Sequence, residues 1–109
     1  SGCDANVSWL QENHGRDAIQ IIKADLTDFE ALKSAAARVQ RIYHLAGQVA
    51  VTTSVVNPRQ DFEANALGTF NVLEAARQVG DDPIILYAST NKVYGGMEEI
   101  EIVEQQTRY

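Results

Sequence analysis

Residues 84–95 read IILYASTNKVYG. The four residues Ile84–Tyr87 have the length and composition of a strand that is buried in a parallel sheet. Two hydroxyl side chains, Ser89 and Thr90, follow almost directly, at the point where such a strand would end. In open α/β sheets, ligands bind outside the carboxyl ends of the strands. The stretch therefore predicts a buried strand that carries two hydroxyls to a ligand site.

Two further apolar runs predict strands in the same sheet. The run from Arg41 ends at Ala46, just before Gly47, and these small residues allow a ligand to approach the backbone closely. The run Ala18–Ala24 is rich in isoleucine. Helices are expected between the strands, the longer one over Pro58–Val79. The order strand, helix, strand, helix, strand with short connections predicts an α/β fold with a parallel sheet and right-handed crossovers.

Local signals predict where the helices begin and end. Val7–Asn13 is expected to form a short helix that Gly15 ends. Thr27–Glu30 has the pattern of a capping box at the start of the next helix. Asn57 before a proline is typical of an N-cap followed by the first helical residue, and Gly80 is expected to end the long helix. The segment between the second strand and the long helix, 47–56, is predicted as a loop or an irregular helical turn.

Composition excludes several classes of function. The chain of 109 residues is at most one domain, and its formal net charge of −6 argues against a surface for nucleic acid or anionic membranes. No apolar run approaches the about 18 residues of a membrane span. The single Cys3 excludes an internal disulfide and leaves no cysteine cluster for a metal. These features fit a cytoplasmic protein without a metal site.

Asn65 is the most informative polar residue of the long helix. An unpaired buried amide costs about 1–3 kcal/mol, so this side chain needs a specific partner. Either it fixes a neighbouring loop, or it orders a strand of an active site. The helix face on which the spacing places it also contains Phe62, Thr69, Leu73 and Ala76.

Two other residues allow two interpretations each. His44 lies inside a predicted strand, where a hydrogen-bonded core histidine is the usual explanation, and no residue with metal-ligand spacing accompanies it. Asp25 either begins a turn or accepts a hydrogen bond from a ligand amine. A strand-end hydroxyl such as Thr90 needs a neighbouring base before it does chemistry. No such base is evident, so the chain by itself has no complete catalytic set.

Three motifs resemble consecutive motifs of the extended short-chain dehydrogenase/reductases. They are His44–Gly47 (HLAG), Asn65–Ala75 (NALGTFNVLEA) and Ser89–Gly95 (STNKVYG), in the family's order and at the family's distances. Further segments are similar to the CDP-paratose (CDP-tyvelose) 2-epimerase branch of the NAD-dependent sugar-nucleotide epimerases. These segments are Asn6–Leu10 (NVSWL), Gly47–Ser54 (GQVAVTTS) and Thr107–Tyr109 (TRY). The resemblance implies a Rossmann-like doubly wound parallel sheet.

The resemblance also implies a role for individual residues. Asp25 would bond the adenine amino group of NAD, and Leu26 would pack on the ring. The nicotinamide side of NAD would be lined by Leu45, Ala46 and Gly47, with Ser89 beside the cofactor and Asn65 as the structural amide. Gln48 would bind the cofactor and border the sugar. Thr90 would be the catalytic hydroxyl that helps to polarise a sugar hydroxyl. The sugar would be bordered by Val49, Ser54, Asn91, Lys92 and Tyr94.

The implied reaction is the transient oxidation and re-reduction of a sugar carbon. In the 2-epimerase branch this carbon is C2 of a CDP-3,6-dideoxyhexose, so the implied partner is a CDP-sugar, and homo-oligomers remain possible. A 4-epimerase or 4,6-dehydratase with the same fold is an alternative. The dehydratases usually carry acidic residues after the Ser-Thr pair, where this chain has Asn91 and Lys92. A non-catalytic dinucleotide-binding protein is a third possibility.

Two elements of the family pattern are not present in the 109 residues. One is the glycine-rich GxxGxxG turn that places the pyrophosphate at a helix N-terminus. The other is the Tyr-x-x-x-Lys pair, because Tyr94 is followed four residues later by Glu98. The resemblance therefore implies that residues 1–109 are the central part of an NAD-binding domain, without its glycine-rich βαβ unit and the substrate domain. The three strands would be the third, fourth and fifth in the order 3-2-1-4-5-6, which cannot form the family's sheet unaided. We expect the isolated chain to bind NAD poorly.

Overall fold

The computed structural model of the chain describes residues 4–96 and the three positions 101, 103 and 106. The elements in chain order are α1 (Asp4–His14), a 3₁₀ turn (Arg16–Ala18), α2 (Phe29–Ala36), β1 (Arg41–His44), α3 (Val51–Val56), α4 (Pro58–Phe62), a π-helical turn (Glu63–Leu67), α5 (Gly68–Val79), β2 (Ile84–Tyr87) and a 3₁₀ turn (Asn91–Tyr94). Cys3 and the segment 107–109 lie outside the described residues. Within those residues, no helix is long and apolar enough to cross a membrane.

The sheet consists of β1 and β2, which pair in parallel. The register runs from Arg41 opposite Ile84 to His44 opposite Tyr87. The pairing extends by one residue, because the amide of Ala88 donates to the carbonyl of His44 at 3.1 Å. The parallel arrangement with intervening helices confirms the predicted α/β class. Both strands end at the same edge of the sheet, and the segments after them share that edge.

The predicted strand over Ala18–Ala24 is wrong. Ala18 belongs to the 3₁₀ turn, and residues 19–25 are irregular, although Ile19 has extended angles of φ −133° and ψ 115°. Ile21 and Ile22 are 43% and 51% exposed. A strand requires a partner for its hydrogen bonds, and in the family order the third strand is separated from the fourth by two others. In the described part of the chain β1 and β2 pair only with each other, so this segment has no strand beside it.

The long helix, which comprises α4, the π-helical turn and α5, covers the predicted range Pro58–Val79. The Asn57 side chain caps it by accepting from the amide of Gln60 at 3.3 Å, and Gly80 ends it with φ 74°. These limits confirm the prediction. The π-helical turn in the middle was not predicted, because a single wider turn leaves no clear signal in the apolar spacing.

The start of α2 differs from the predicted capping box. The cap is Asp28, whose carboxylate accepts from the amide of Ala31 at 3.1 Å. Thr27 does not cap the helix, and its hydroxyl instead donates to Asp25 Oδ1 at 2.7 Å. This hydrogen bond to a carboxylate turns the Thr27 side chain towards Asp25, and the helix begins one residue later with Asp28 as its cap.

The core is small and lies where α2 packs on α5. Its buried apolar residues are Ala36, Val72, Ala75 and Ala76. The predicted face of the long helix is therefore wrong in part, since Phe62 and Leu73 are 62% and 48% exposed. Small side chains on the contact face allow two helices to pack closely. The helix turns this face towards α2 and leaves its larger apolar side chains outside.

The N-terminal region contributes a surface helix. The predicted helix over Val7–Asn13 is present within α1, and it ends before Gly15, which has φ 87°. α1 has no buried residue. It therefore does not position the site, and the segments that do so begin with the turn at Asp25.

Candidate functional site

An open pocket of about 500 Å³ lies at the carboxyl ends of β1 and β2. It is bounded by the loop after β1, by α3 and the long helix, and by the segment after β2. It is lined by Leu45, Ala46, Gly47, Gln48, Val49, Val51, Ser54, Asp61, Asn65, Thr69, Tyr87, Ala88, Ser89 and Thr90. The structure thus brings together nine of the residues predicted for a ligand site, namely Leu45, Ala46, Gly47, Gln48, Val49, Ser54, Asn65, Ser89 and Thr90. Their roles towards a ligand stay predictions.

The Asn65 side chain clamps the loop that follows β1. Its Oδ1 accepts from the amide of Gln48 at 2.7 Å, and its Nδ2 donates to the carbonyl of Gln48 at 3.1 Å. A Cβ on Gly47 would lie 2.9 Å from Asn65 Oδ1, so any larger residue at this position would force the Asn65 side chain to shift. The interpretation of Asn65 as an amide that fixes a neighbouring loop is confirmed. The side chain of Gln48 holds the next part of the loop. Its Nε2 donates to the carbonyl of Ala50, and its Oε1 accepts from the amide of Ala50.

Asp61 links the clamp to α3. Its Oδ1 accepts from Asn65 Nδ2 at 3.0 Å and from the Ser54 hydroxyl at 2.7 Å. Asp61 and Asn65 are four residues apart and therefore lie on the same side of the helix. One carboxylate oxygen joins the two helical segments that border the pocket.

His44 adjoins the site through its contact with Thr69, which lines the pocket. It is 5% exposed, and its Nε2 lies 3.0 Å from the hydroxyl oxygen of Thr69. That hydroxyl donates its hydrogen to the carbonyl of Asn65 at 2.6 Å, so Nε2 of His44 must carry the proton in their contact. Burial lowers the pKa of His44 because it penalises the charged form. The prediction of a hydrogen-bonded core histidine is confirmed, and the ring of Tyr87 stacks on it with centroids 5.6 Å apart.

The segment after β2 carries the two hydroxyls to the pocket. Thr90 Oγ1 accepts from the amide of Lys92 at 3.3 Å and thereby caps the 3₁₀ turn that begins at Asn91. The hydrogen of the Thr90 hydroxyl is not used in this contact. Lys92 and Tyr94 lie on the 3₁₀ turn, are exposed, and do not line the pocket.

A second pocket of about 300 Å³ adjoins the first and shares Gly47 and Gln48 with it. Leu26 lies in its wall, and two contacts hold that residue on the long helix. Asn71 Nδ2 donates to the carbonyl of Leu26 at 2.9 Å, and a Cβ on the buried Gly68 would lie 2.8 Å from Leu26 Cδ1. Leu26 therefore lies beside Gly47 and Gln48 of the loop after β1. These residues were predicted to contact the same ligand, NAD.

Asp25 begins a turn, as one of its two interpretations predicted. Its Oδ1 accepts from the amide of Thr27 at 2.9 Å and from the hydroxyl of Thr27 at 2.7 Å. These two hydrogen bonds lower the pKa of Asp25. Asp25 lines neither of the two pockets. A contact of Asp25 with a ligand amine stays a prediction.

The sequence reasoning missed several residues that line the main pocket, above all Asp61 and Tyr87. Asp61 is four residues before Asn65, and this helical spacing is the signal that could have revealed it. Tyr87 was assigned to the buried strand, but it is 51% exposed. Among residues 4–96 and the three separate positions, no group of three or more His, Cys, Asp or Glu side chains could hold a metal ion.

Comparison with known proteins identifies the class. The whole chain superposes on 32% of the UDP-glucose-4-epimerase from Stenotrophomonas maltophila, solved with bound NAD and formylated UDP-arabinopyranose, with a TM-score of 0.77 and 20% identity. At this identity the likeness shows the fold alone, and it confirms the Rossmann-type α/β fold. Sequence similarity to known proteins shows that the chain is an extended short-chain dehydrogenase/reductase of the epimerase/dehydratase type.

The family follows from the sequence comparison. Residues 3–109 match the family model described as GDP-mannose 4,6 dehydratase, and the chain belongs to this family. It is 57% identical over 67 residues to a CDP-paratose 2-epimerase of Salmonella typhi. The aligned region is 62% of this chain and 20% of that relative. It is 34% identical over 82 residues to a dTDP-glucose 4,6-dehydratase of Mycobacterium tuberculosis, covering 75% of this chain and 24% of the relative. The chain thus spans about a fifth to a quarter of the length of these relatives.

Proposed function

We propose that the chain is the central part of the NAD-binding domain of a sugar-nucleotide epimerase that acts at C2 of a CDP-3,6-dideoxyhexose. The observation that carries this proposal is the pocket in which the Asn65-clamped loop faces Ser89 and Thr90 at the ends of two parallel strands. The similarity to a CDP-paratose 2-epimerase supports the choice of substrate. The similarity to longer relatives supports the assignment to part of a larger domain, because the chain covers only 20% and 24% of them.

The residues around the loop fit NAD. Ala46 and Gly47 form a floor of small residues after β1, and Leu45 is 69% exposed at its edge. Leu26 in the adjoining pocket offers an apolar surface to an adenine ring, with Asp25 next to it in the chain. When bound, NAD would accept a hydride from the sugar carbon and return it. The protein's part is to hold the cofactor against a preformed loop, which reduces the ordering that binding requires.

The residues across the pocket fit a sugar. Thr90 would donate its unused hydrogen to a sugar hydroxyl, with Ser89 beside the cofactor. The Ser54 hydroxyl gives its hydrogen to Asp61, so towards a sugar it would act as an acceptor. The remaining proposed sugar contacts are Val49, Asn91, Lys92 and Tyr94. A Tyr-x-x-x-Lys pair is not among the 109 residues, so the proposed reaction needs a proton-transferring group from beyond them.

The test uses the full-length polypeptide that contains this chain. It is incubated with CDP-paratose, UDP-glucose and dTDP-glucose in separate reactions, and the products are identified by NMR. We expect interconversion at C2 of the CDP-sugar, with a transient rise of reduced NAD absorbance. Thr90→Val should lower kcat by about 10²-fold or more, since a positioned proton donor contributes about that factor. Formation of a 4-keto-6-deoxy sugar from dTDP-glucose would instead identify a dehydratase, which the similarity to such an enzyme makes the second candidate. NAD binding without turnover of any of these sugars would indicate a non-catalytic protein.

Two further features of the proposal have separate support. Phe62, Phe70 and Leu73 on the long helix are 62%, 60% and 48% exposed, which favours self-association through this helix. Light scattering of the full-length polypeptide tests that homo-oligomer. A cytoplasmic location stays a prediction, and fractionation of the source cells would test it.

A further inference from the structure

We propose that Asp61 is a positioning residue, which keeps the loop 47–50 in its ligand-ready shape by acting through the side chain of Asn65. That this loop binds NAD rests on the proposed function. The effect of Asp61 on the shape of the loop rests only on the hydrogen bonds among Asp61, Asn65 and Gln48. Asp61 is not assigned any contact with the reacting atoms.

Three hydrogen bonds fix the side-chain amide of Asn65. Its amide oxygen takes the amide of Gln48, one amino hydrogen goes to the carbonyl of Gln48, and the other goes to Asp61. Asp61 therefore completes the set, so that both hydrogens of the amino group are used. An amide with both hydrogens and its oxygen hydrogen-bonded has one orientation and little freedom to rotate away from the loop.

The negative charge of Asp61 strengthens the hydrogen bonds that Asn65 makes with the loop. A carboxylate is a stronger acceptor than a neutral oxygen, and a hydrogen bond to it polarises the amide from which it accepts. Polarisation of Asn65 strengthens its oxygen as an acceptor, and this oxygen holds the amide of Gln48 at 2.7 Å. The carboxylate thus supports the loop without touching it.

Asp61 also connects α3 to the long helix. The same oxygen accepts from Ser54 at 2.7 Å, so Asp61 also fixes α3 against the long helix. The backbone of Asn65 is tied separately, because its carbonyl in the π-helical turn accepts the hydroxyl of Thr69. Asn65 is therefore held at its main chain by Thr69 and at its side chain by Asp61. Removal of Asp61 alone should loosen the side chain while the helix keeps its course.

The experiment measures hydrogen–deuterium exchange of peptides that cover residues 47–50 in the ligand-free full-length polypeptide. Asp61→Ala removes the acceptor, and we expect exchange at this segment to become about tenfold faster. Asp61→Asn keeps an acceptor oxygen but loses the charge, so exchange should lie between that of Asp61→Ala and that of the wild type. Asp61→Glu, which displaces the acceptor but keeps the charge, should change exchange in the same direction as Asp61→Ala.

The matched control is Asp28→Ala, which removes the cap of α2 and should lower the melting temperature without changing exchange at residues 47–50. Equal exchange of the loop in Asp28→Ala and Asp61→Ala, or no rescue by Asp61→Asn, would overturn the inference. The dissociation constant of NAD is a second measurement, and it should rise about tenfold in Asp61→Ala. If the wild type does not bind NAD, the proposed function fails, but the exchange experiment still decides the role of Asp61.

Discussion

The substitution Asn65→Asp changes one amino group into an oxygen, with almost no change in shape. The lost amino group donates to the carbonyl of Gln48 at 3.1 Å and to Asp61 Oδ1 at 3.0 Å. The loss of two hydrogen bonds costs about 2 kcal/mol. The introduced carboxylate then faces the carboxylate of Asp61. Two unit charges about 4 Å apart repel by about 4 kcal/mol at an effective dielectric constant of 20, and rotation and solvent reduce this to about 2 kcal/mol for half-buried groups.

We therefore expect Asn65→Asp to lower the free energy of unfolding by about 4 kcal/mol at pH 8. The repulsion raises the pKa of the introduced carboxyl in the folded state above its unfolded value of about 3.9. Because the folded state then binds more protons, the penalty is complete above the raised pKa and disappears as the pH falls through it. At about 1.36 kcal/mol per unit, a repulsion of about 2 kcal/mol shifts the titration by about 1.5 units, so about 0.7 kcal/mol of the lost stability should return at pH 5.

Urea unfolding at pH 5 and pH 8 measures this difference, with each value taken relative to the wild type at the same pH. Asn65→Ala is the control, because it loses the same donor without adding a charge. It should cost about 3 kcal/mol at both pH values. The reasoning would be refuted if Asn65→Asp and Asn65→Ala had the same pH dependence, or if Asn65→Asp were as stable as the wild type at pH 8.

Three other substitutions are expected to change the stability of the fold. Gly47→Ala should lower the unfolding free energy by about 2 kcal/mol and weaken ligand binding. The reason is that the new Cβ would lie 2.9 Å from Asn65 Oδ1. Unchanged stability in urea would contradict this close approach. Gly80→Ala has open space around its Cβ but a φ of 74°, so urea unfolding should show only the about 1–2 kcal/mol of backbone strain, with no effect on ligand binding. Burial lowers the pKa of His44 in the folded state, so the unfolded state binds protons first, and stability should fall as the pH drops below about 6.5. Thermal melts from pH 5 to pH 8 should show a smaller fall for His44→Gln, and an equal fall in both proteins would exclude His44 as its cause.

Much of the fold was accessible from the sequence because its signals are local. The Asn-Pro cap and the terminal Gly80 predicted the limits of the long helix, and an apolar run predicted β2. The error at Ala18–Ala24 has a different origin. A strand is defined by its neighbour, and an isoleucine-rich segment without a strand beside it stays irregular.

The sequence predicted the two strand-end segments of the candidate site but missed Asp61. The small residues after β1 and the hydroxyl pair after β2 were expected at the carboxyl edge of a parallel sheet, and both line the main pocket. Asp61 was missed because a charged residue on a helix is usually solvated, and only its contacts with Asn65 and Ser54 give it another role. Ser54 was expected to border a sugar, and only the tertiary structure shows that its hydroxyl donates to Asp61.

The sequence by itself determined the α/β class, the need of Asn65 for a partner, and the positions where the backbone ends its helices. These follow from residue types and from spacings of a few residues, whose physics is local. Only the tertiary structure decided which face of the long helix is buried, which loop Asn65 holds, and that Asp61 and Thr69 fix it from two sides. Such pairings depend on how whole elements pack, and helix rotation and strand neighbours are set by contacts between residues distant in sequence.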